Sequence, residues 1–210
     1  AKTYYVDSSK TDDTGDGLSE GNAFKTIKKA IDDASDGDTI KLIGSFGSDA
    51  GERISTNKNL TITGVVETDG AKPELKNVFL HIGNGSTGIT LENIKFLQTK
   101  YFKGVPGTHA DTDRTLDFWG QNGTTTDVVV RNCEFECTYD CVDNQKTHAL
   151  GVSNLNSLVF ENNTISGYQR GVNVQNVATV KASGNTMNLE SNENTPAKAY
   201  NFYGIENGTV

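Results

Sequence analysis

The chain has 210 residues and a formal net charge of −8, with 22 glycines, 3 prolines and an apolar fraction of only 34%. Its length suits one domain with a continuous core, and its composition predicts short strands and many turns rather than a helical bundle. The negative charge argues against nucleic acid and anionic membranes as partners, because both require a basic surface. It also argues against a polyanionic glycan unless a metal ion bridges the two. No apolar run approaches the roughly 20 residues that span a bilayer.

The N-terminal region predicts a strand, a loop and a helix. Residues 4–6 (Tyr-Tyr-Val) are typical of a strand, whereas residues 7–22 are rich in Asp, Gly, Ser and Thr and are expected to form a loop. From Phe24 to Ala34 the apolar residues recur at helical spacing. Residues 39–43 then return to the alternation of a strand.

One short pattern recurs four times between residues 87 and 187. Two alternating apolar positions lead to Asn or Gly, followed by one variable residue, a polar residue and a last apolar residue. The period of two indicates a strand with one buried face, and Asn or Gly suits a bend after it. The residues after the Asn or Gly are Ile94, Cys133, Asn163 and Asn185, at steps of 39, 30 and 22 residues. About 22 residues make one coil of a parallel β-solenoid, so the longer steps predict loop insertions.

A weaker fifth match, residues 59–64, precedes these units, and a second strand is predicted inside each coil. Residues 171–174 begin eight residues after Asn163, and residues 141–144 begin eight after Cys133. Residues 199–205 predict one more second strand near the end of the chain, with no capping segment after it.

The opening of the chain and the Asn-centred coils together resemble a known family. The opening consists of residues 4–7 (YYVD), 15–19 (GDGLS), 23–31 (AFKTIKKAI) and 37–40 (GDTI). This run is similar to the N-terminal cap of secreted right-handed parallel β-helix proteins of the pectate-lyase-like superfamily. The resemblance implies an all-β fold, a right-handed parallel β-helix (solenoid) with an N-terminal amphipathic capping helix. Such a helix would cover the open end of the first coil.

The domain organisation expected from this resemblance is a single β-helix over residues 1–210. Residues 1–38 would form the strand, loop and capping helix, and residues 39–210 the coils, as part of a longer surface protein. The superfamily includes polysaccharide lyases, glycoside hydrolases, epimerases, tailspikes and non-catalytic adhesins, so the fold leaves the activity open. The chain lacks the acidic calcium cluster, the paired Asp with Gly-His-Gly and the Asp-Pro-His triplet that mark enzymes of these groups.

The first strands predict a row of charged side chains on the outside of the solenoid. Glu92, Arg131 and Glu161 occupy equivalent positions and should stack on successive coils about 4.8 Å apart. We interpret this row as a surface salt-bridge row of little energetic value rather than a catalytic site.

The second strands predict the candidate site. If residues 115–119 precede residues 141–145 and 172–175 in the stack, their outward side chains form one face, which His81 extends. The predicted ligand-binding residues on or beside this face are His81, Trp119, Tyr139, Gln145, Tyr168, Asn173 and Gln175, and the catalytic candidates, for an enzyme, are Asp117, Asp143 and Arg170.

Three hypotheses, besides an inert polar surface, fit this face. The flat ring of Trp119 can stack on a sugar while amides bond its hydroxyls. Asp117 and Asp143 could act as a carboxylate pair with Arg170, Lys146 or His148. The same carboxylates, with Asp140 or acids of the loop before residue 114, could instead bind Ca²⁺. Arg170 is expected to pair with Asp140.

The cysteines at positions 133, 137 and 141 are an odd number in one cluster, which is poor support for a disulfide framework or a structural zinc site. We interpret them as small buried apolar residues, with a Cys137–Cys141 disulfide as the alternative.

The leading hypothesis is a secreted or cell-surface, adhesin-like bacterial module that binds a polysaccharide or surface glycan without cleaving it. The alternative is a polysaccharide lyase or, less favoured, a glycoside hydrolase, and a third is a structural spacer. No cofactor is expected, with Ca²⁺ left open, and the chain is expected to be a monomer or part of a longer chain.

Overall fold

The computed structural model describes residues 1–83, 85–102, 113–120, 126–140, 147–191 and 196–210. These residues form one helix, α1 (Ile27–Asp33), and fifteen strands. The strands are β1 (Thr3–Asp7), β2 (Thr39–Ile43), β3 (Ser45–Thr56), β4 (Leu60–Gly64), β5 (Glu74–Ile82), β6 (Gly88–Glu92), β7 (Lys95–Gln98), β8 (Asp113–Trp119), β9 (Asp127–Arg131), β10 (Glu134–Cys137), β11 (Thr147–Glu161), β12 (Thr164–Ser166), β13 (Arg170–Ser183), β14 (Thr186–Asn188) and β15 (Lys198–Thr209).

The strands wind around a common core and form three faces. The first face consists of β1, β2, β4, β6 and β9, followed by the second halves of β11, β13 and β15. The second face consists of the starts of β3 and β5, followed by β7, β10, β12 and β14. The third face consists of the ends of β3 and β5, then β8, then the first halves of β11, β13 and β15. Every pair is parallel, and the fold is therefore a parallel β-helix.

The register confirms the coil steps predicted from the repeat. On the second face Lys95 pairs with Glu134, Glu134 with Thr164, and Thr164 with Thr186, which reproduces the steps of 39, 30 and 22 residues. On the first face Glu92, Arg131 and Glu161 lie side by side, as predicted. Within this row, Arg131 Nε is 4.0 Å from Glu92 Oε2, which is a loose ion pair at the surface and contributes little to stability.

The corner between the first and second faces is built from Asn and Gly, as the repeat predicts. Asn93, Asn132, Asn162 and Gly184 all have φ between 53° and 67°, in the left-handed region. Asn and Gly tolerate this conformation better than other residues. The conformation of this corner is therefore set by local backbone preference and does not depend on the length of the rest of the coil.

The predicted N-terminal helix is confirmed, but it begins at Ile27, three residues later than Phe24. Phe24 forms a β-bridge with Val6, and Thr26 is the N-cap, whose side chain accepts a hydrogen bond from the Lys29 N–H. Helix α1 buries Ile27, Ala30 and Ile31. The sequence predicted a helix start at Phe24 because this apolar residue lies three positions before Ile27, at helical spacing, although Phe24 itself pairs with β1.

The core is apolar along its whole length and includes stacked aromatic rings. The rings of Phe96 and Phe135 lie 5.0 Å apart on adjacent coils. Cys133 and Cys137 are buried, as predicted, and burial raises the pKa of Cys133 to about 12. Cys141, the alternative partner of Cys137, lies outside the described residues. No helix among the described residues is long and apolar enough to cross a membrane.

The predicted neighbour of the strand that carries Asp117 is wrong. Strand β8 pairs with β11, which begins at Thr147, and Asp117 lies opposite Gly151 rather than Asp143. The error arises because the third-face strand of this coil begins eight residues later than the spacing of eight residues after Cys133 implied. Asp143 itself lies outside the described residues.

Candidate functional site

The third face carries three parallel rows of residues. Each row runs across the strands and takes one residue from each successive coil. The basic row consists of Arg114, His148, Arg170 and Lys198. The middle row consists of Ser55, His81, Asp117, Gly151, Asn173 and Asn201. The aromatic row consists of Trp119, Ser153, Gln175 and Tyr203. We refer to the three rows together as the strip.

Asp117 holds Trp119 in place at one end of the strip. The Trp119 Nε1–H donates to Asp117 Oδ1 over 2.9 Å, and Arg114 Nη1 donates to the same oxygen over 3.3 Å. His81, the neighbour of Asp117 in the middle row, contacts the indole with its edge, with ring centroids 6.0 Å apart. Trp119 is half-buried, so these contacts fix the orientation of a ring that still reaches the surface.

Gly151 makes room for the side chain of Arg114. A Cβ at position 151 would lie 2.6 Å from Arg114 Cδ and 2.9 Å from its Nη1. The arginine therefore crosses the middle row at the one position that has no side chain. This explains a glycine in the interior of a strand, where it is otherwise unfavourable.

The charges around Asp117 are mostly positive. Burial lowers the pKa of Arg53, and the nearby Asp117 carboxylate acts in the opposite direction. His148, between Arg114 and Arg170 in the basic row, is only 2% exposed. The expected ion pair between Arg170 and Asp140 is not formed: Arg170 makes no salt bridge with a described residue, and its Nε is buried without a hydrogen-bond partner there.

Two tyrosines predicted to bind ligand belong to the interior of the coil. Tyr168 is 0% exposed, and its hydroxyl shares a 2.8 Å hydrogen bond with Thr115 Oγ1, so the prediction that it contacts ligand is wrong. Tyr139 is half-buried, packs against the core, and accepts a hydrogen bond from Gln98 Nε2 over 3.2 Å. Both residues lie at the corner before the third face, and both side chains pack against the core.

The other predicted residues are placed as follows. Trp119, Asp117 and His81 come together at one end of the strip, while Asn173 and Gln175 lie two coils away from Asp117 and Trp119. Gln145, Asp143 and Lys146 lie outside the described residues. Within the described ranges, no group of three or more His, Cys, Asp or Glu side chains is arranged to hold a metal ion.

The sequence analysis missed several residues of the strip. Tyr203 and Asn201 occupy the positions of Gln175 and Asn173 one coil further on, and the alternation in residues 199–205 was a sufficient signal for both. Arg114, which lies three residues before Asp117, was not among the predicted site residues. Gly151 had a weaker signal, a glycine between apolar residues in a strand.

Comparison with known proteins supports the fold. No family model and no curated protein matches the sequence. Among solved structures, a rhamnogalacturonan lyase has a similar fold, with a TM-score of 0.53 and 15% sequence identity. The match covers the whole of this chain and 63% of that structure. At this identity the likeness concerns the fold, a parallel β-helix also used by a polysaccharide lyase.

Proposed function

We propose that the chain is a carbohydrate-binding β-helix module that holds a glycan along the strip without cleaving it. The observation that carries the proposal is the fixed orientation of Trp119, whose indole is bound by Asp117 and contacted by His81. A rigid aromatic ring beside polar side chains is the usual arrangement for sugar recognition, because the ring packs on the pyranose and amides bond its hydroxyls. In the strip those amides are Asn173 and Gln175.

The basic row favours an acidic sugar chain as the ligand. Arg170 and Lys198 lie side by side on adjacent strands, and neither has a salt bridge with a described residue. Arginine binds carboxylates through a planar, two-pronged donor geometry. The net charge of −8 describes the whole chain. A ligand on the third face is instead closest to the positive charges of the basic row, which attract an acidic sugar chain. We place the module outside the cell, secreted or on a cell surface, in an adhesin-like role.

The test is retention of the protein on immobilised polysaccharides, acidic and neutral, with and without Ca²⁺. We expect Trp119→Ala to weaken retention at least tenfold, since an aromatic anchor contributes more than its contact area. Tyr5→Ala is the matched control, because Tyr5 is an outward aromatic residue on the first face, beneath the Lys41 ammonium. Equal retention of wild type and Trp119→Ala, with both folded, would contradict the proposal.

A polysaccharide lyase is the second candidate. Its supporting observation is that Arg170 has no acidic partner among the described residues, as a basic group that removes a proton from a sugar would require. The solved structure with a similar fold is a rhamnogalacturonan lyase. Incubation of the same polysaccharides with the protein separates the two candidates: new oligosaccharides with unsaturated ends, lost in Arg170→Gln, would establish the lyase.

A further inference from the structure

Tyr203 lies at the opposite end of the aromatic row from Trp119. The register pairs Trp119 with Ser153, Ser153 with Gln175, and Gln175 with Tyr203. Three strand spacings of about 4.8 Å therefore separate the backbones of the two aromatic residues by roughly 14 Å. Tyr203 is 54% exposed, which is unusual for a large side chain of this protein. The row thus has an aromatic ring at each end and small or polar side chains between them.

The hydroxyl of Tyr203 is tied to the middle row. Asn201 Nδ2 donates to Tyr203 Oη over 3.1 Å and to Asn173 Oδ1 over 2.7 Å. These bonds hold the tyrosine ring on the third face and connect it with the amide that lies one coil before it. The ring of Trp119 is held in the same manner by Asp117. Each end of the aromatic row therefore has a ring whose polar atom is bound by the middle row.

We propose that Tyr203 is a second sugar-stacking residue, and that the strip binds an extended chain of about four or more sugars lying across the strands. This inference rests on the proposed function. The repeat of an extended pyranose chain is close to the strand spacing of about 4.8 Å, so four successive rings would span from Trp119 to Tyr203. Ser153 and Gln175 leave the middle of the row low and polar, which allows the chain to lie along it.

The inference predicts that affinity depends on chain length. The probes are fragments of two, four and six sugars from rhamnogalacturonan, an acidic chain, and from cellulose, a neutral chain, titrated calorimetrically into the full 210-residue protein. We expect affinity to rise by about tenfold or more between two and four sugars and little beyond four. A two-sugar fragment would occupy one aromatic ring only, whereas a four-sugar fragment would contact both.

The substitution test uses the two ends of the row separately. Tyr203→Ala should lower affinity for the four-sugar fragment about tenfold and leave the two-sugar fragment, bound at Trp119, unchanged. Tyr203→Phe should retain most of the affinity, because the ring remains, and Tyr5→Ala should have no effect. Circular dichroism and the urea midpoint of each variant confirm that it is folded.

The outcomes separate this inference from the proposed function. Wild-type affinity that is the same for two and four sugars, or unchanged binding of the four-sugar fragment by folded Tyr203→Ala, overturns the second stacking residue alone. If the wild type binds neither the rhamnogalacturonan fragments nor the cellulose fragments, both the inference and the proposed function are overturned.

Discussion

At the residue scale, the alternation of a strand was sufficient to predict which side chains of β8 face outward. Leu116 and Phe118 are fully buried, and Asp117 and Trp119 reach the surface, as a period of two requires. The contacts that give Trp119 its orientation could not be predicted in the same way. They depend on Gly151, which belongs to a different coil and admits the arginine that binds Asp117.

Asp38 shows how a single carboxylate connects the first strand to the cap. Its two oxygens accept the backbone N–H groups of Lys2 and Ser35, each over 2.8 Å. These backbone hydrogen bonds hold the pKa of Asp38 below its usual value of 3.8. A lowered pKa in the folded state means that the stabilisation is present above pH 3.8 and is lost as the pH falls through the lowered value.

Asp38→Asn should therefore destabilise the protein at pH 7 by about 1–2 kcal/mol, because the amide offers one acceptor oxygen to two backbone donors. The difference in free energy of unfolding between wild type and variant should shrink below pH 3.8, where wild-type Asp38 becomes protonated. Urea unfolding at pH 7 and at successively lower pH measures this. Glu20→Gln, at an exposed position, is the control. A difference that does not change with pH would contradict the assigned role.

At the element scale, the corner between the first and second faces is the most regular part of the protein. Two residues separate the strands on either side of it in four successive coils: positions 93–94, 132–133, 162–163 and 184–185. This constancy explains why the repeat was visible in the sequence. The connections from the second to the third face vary in length, and the predicted register of the third face failed after one of them.

Asn163 supplies the hydrogen bonds that hold adjacent coils together at that corner. Its side chain is completely buried; Oδ1 accepts the Cys133 N–H over 2.9 Å, and Nδ2 donates to the Val130 carbonyl over 3.0 Å. Asn185 repeats part of this arrangement one coil later, where its Oδ1 accepts the Asn163 N–H over 2.9 Å. The amides thus replace backbone partners where the chain leaves the strand pattern.

Asn163→Ala should lower the free energy of unfolding by about 2–4 kcal/mol, because it leaves a buried backbone donor and acceptor unsatisfied. Asn188→Ala, at an exposed outward position on β14, is the matched control and should change stability by less than about 0.5 kcal/mol. The measurement is chemical denaturation monitored by circular dichroism. Similar stability of the two variants would show that water replaces the lost amide.

At the scale of the whole molecule, each coil contacts only its neighbours, so the stability of the stack depends on the protection of its end coils. Helix α1 protects one end by burying Ile27, Ala30 and Ile31 against the first coil. The amphipathic pattern made this helix predictable, but its first residue was not, because Phe24 is apolar for a different reason: it pairs with β1.

Ile31→Ala should destabilise the protein by about 2–4 kcal/mol through the cavity left under the helix. The loss should be seen first as faster amide hydrogen exchange in β1 and β2, the strands nearest the cap, and only later in β13. Lys28→Ala is the control, since the Lys28 side chain is 76% exposed on the same helix. Uniformly faster exchange in all strands would instead show that the β-helix unfolds as one cooperative unit.

The corners of the coil differ in length, and this difference makes the protein suitable as a scaffold that presents variable loops on a constant frame. The two-residue Asn/Gly corner keeps the stack in register, while the connections into the third face range from three residues, at 167–169, to fourteen, at 99–112. Foreign peptide segments grafted into the longer connections would enter beside the strip without altering the pairing of the strands. The same arrangement would let a lineage exchange its loops, and so its ligands, on an unchanged frame.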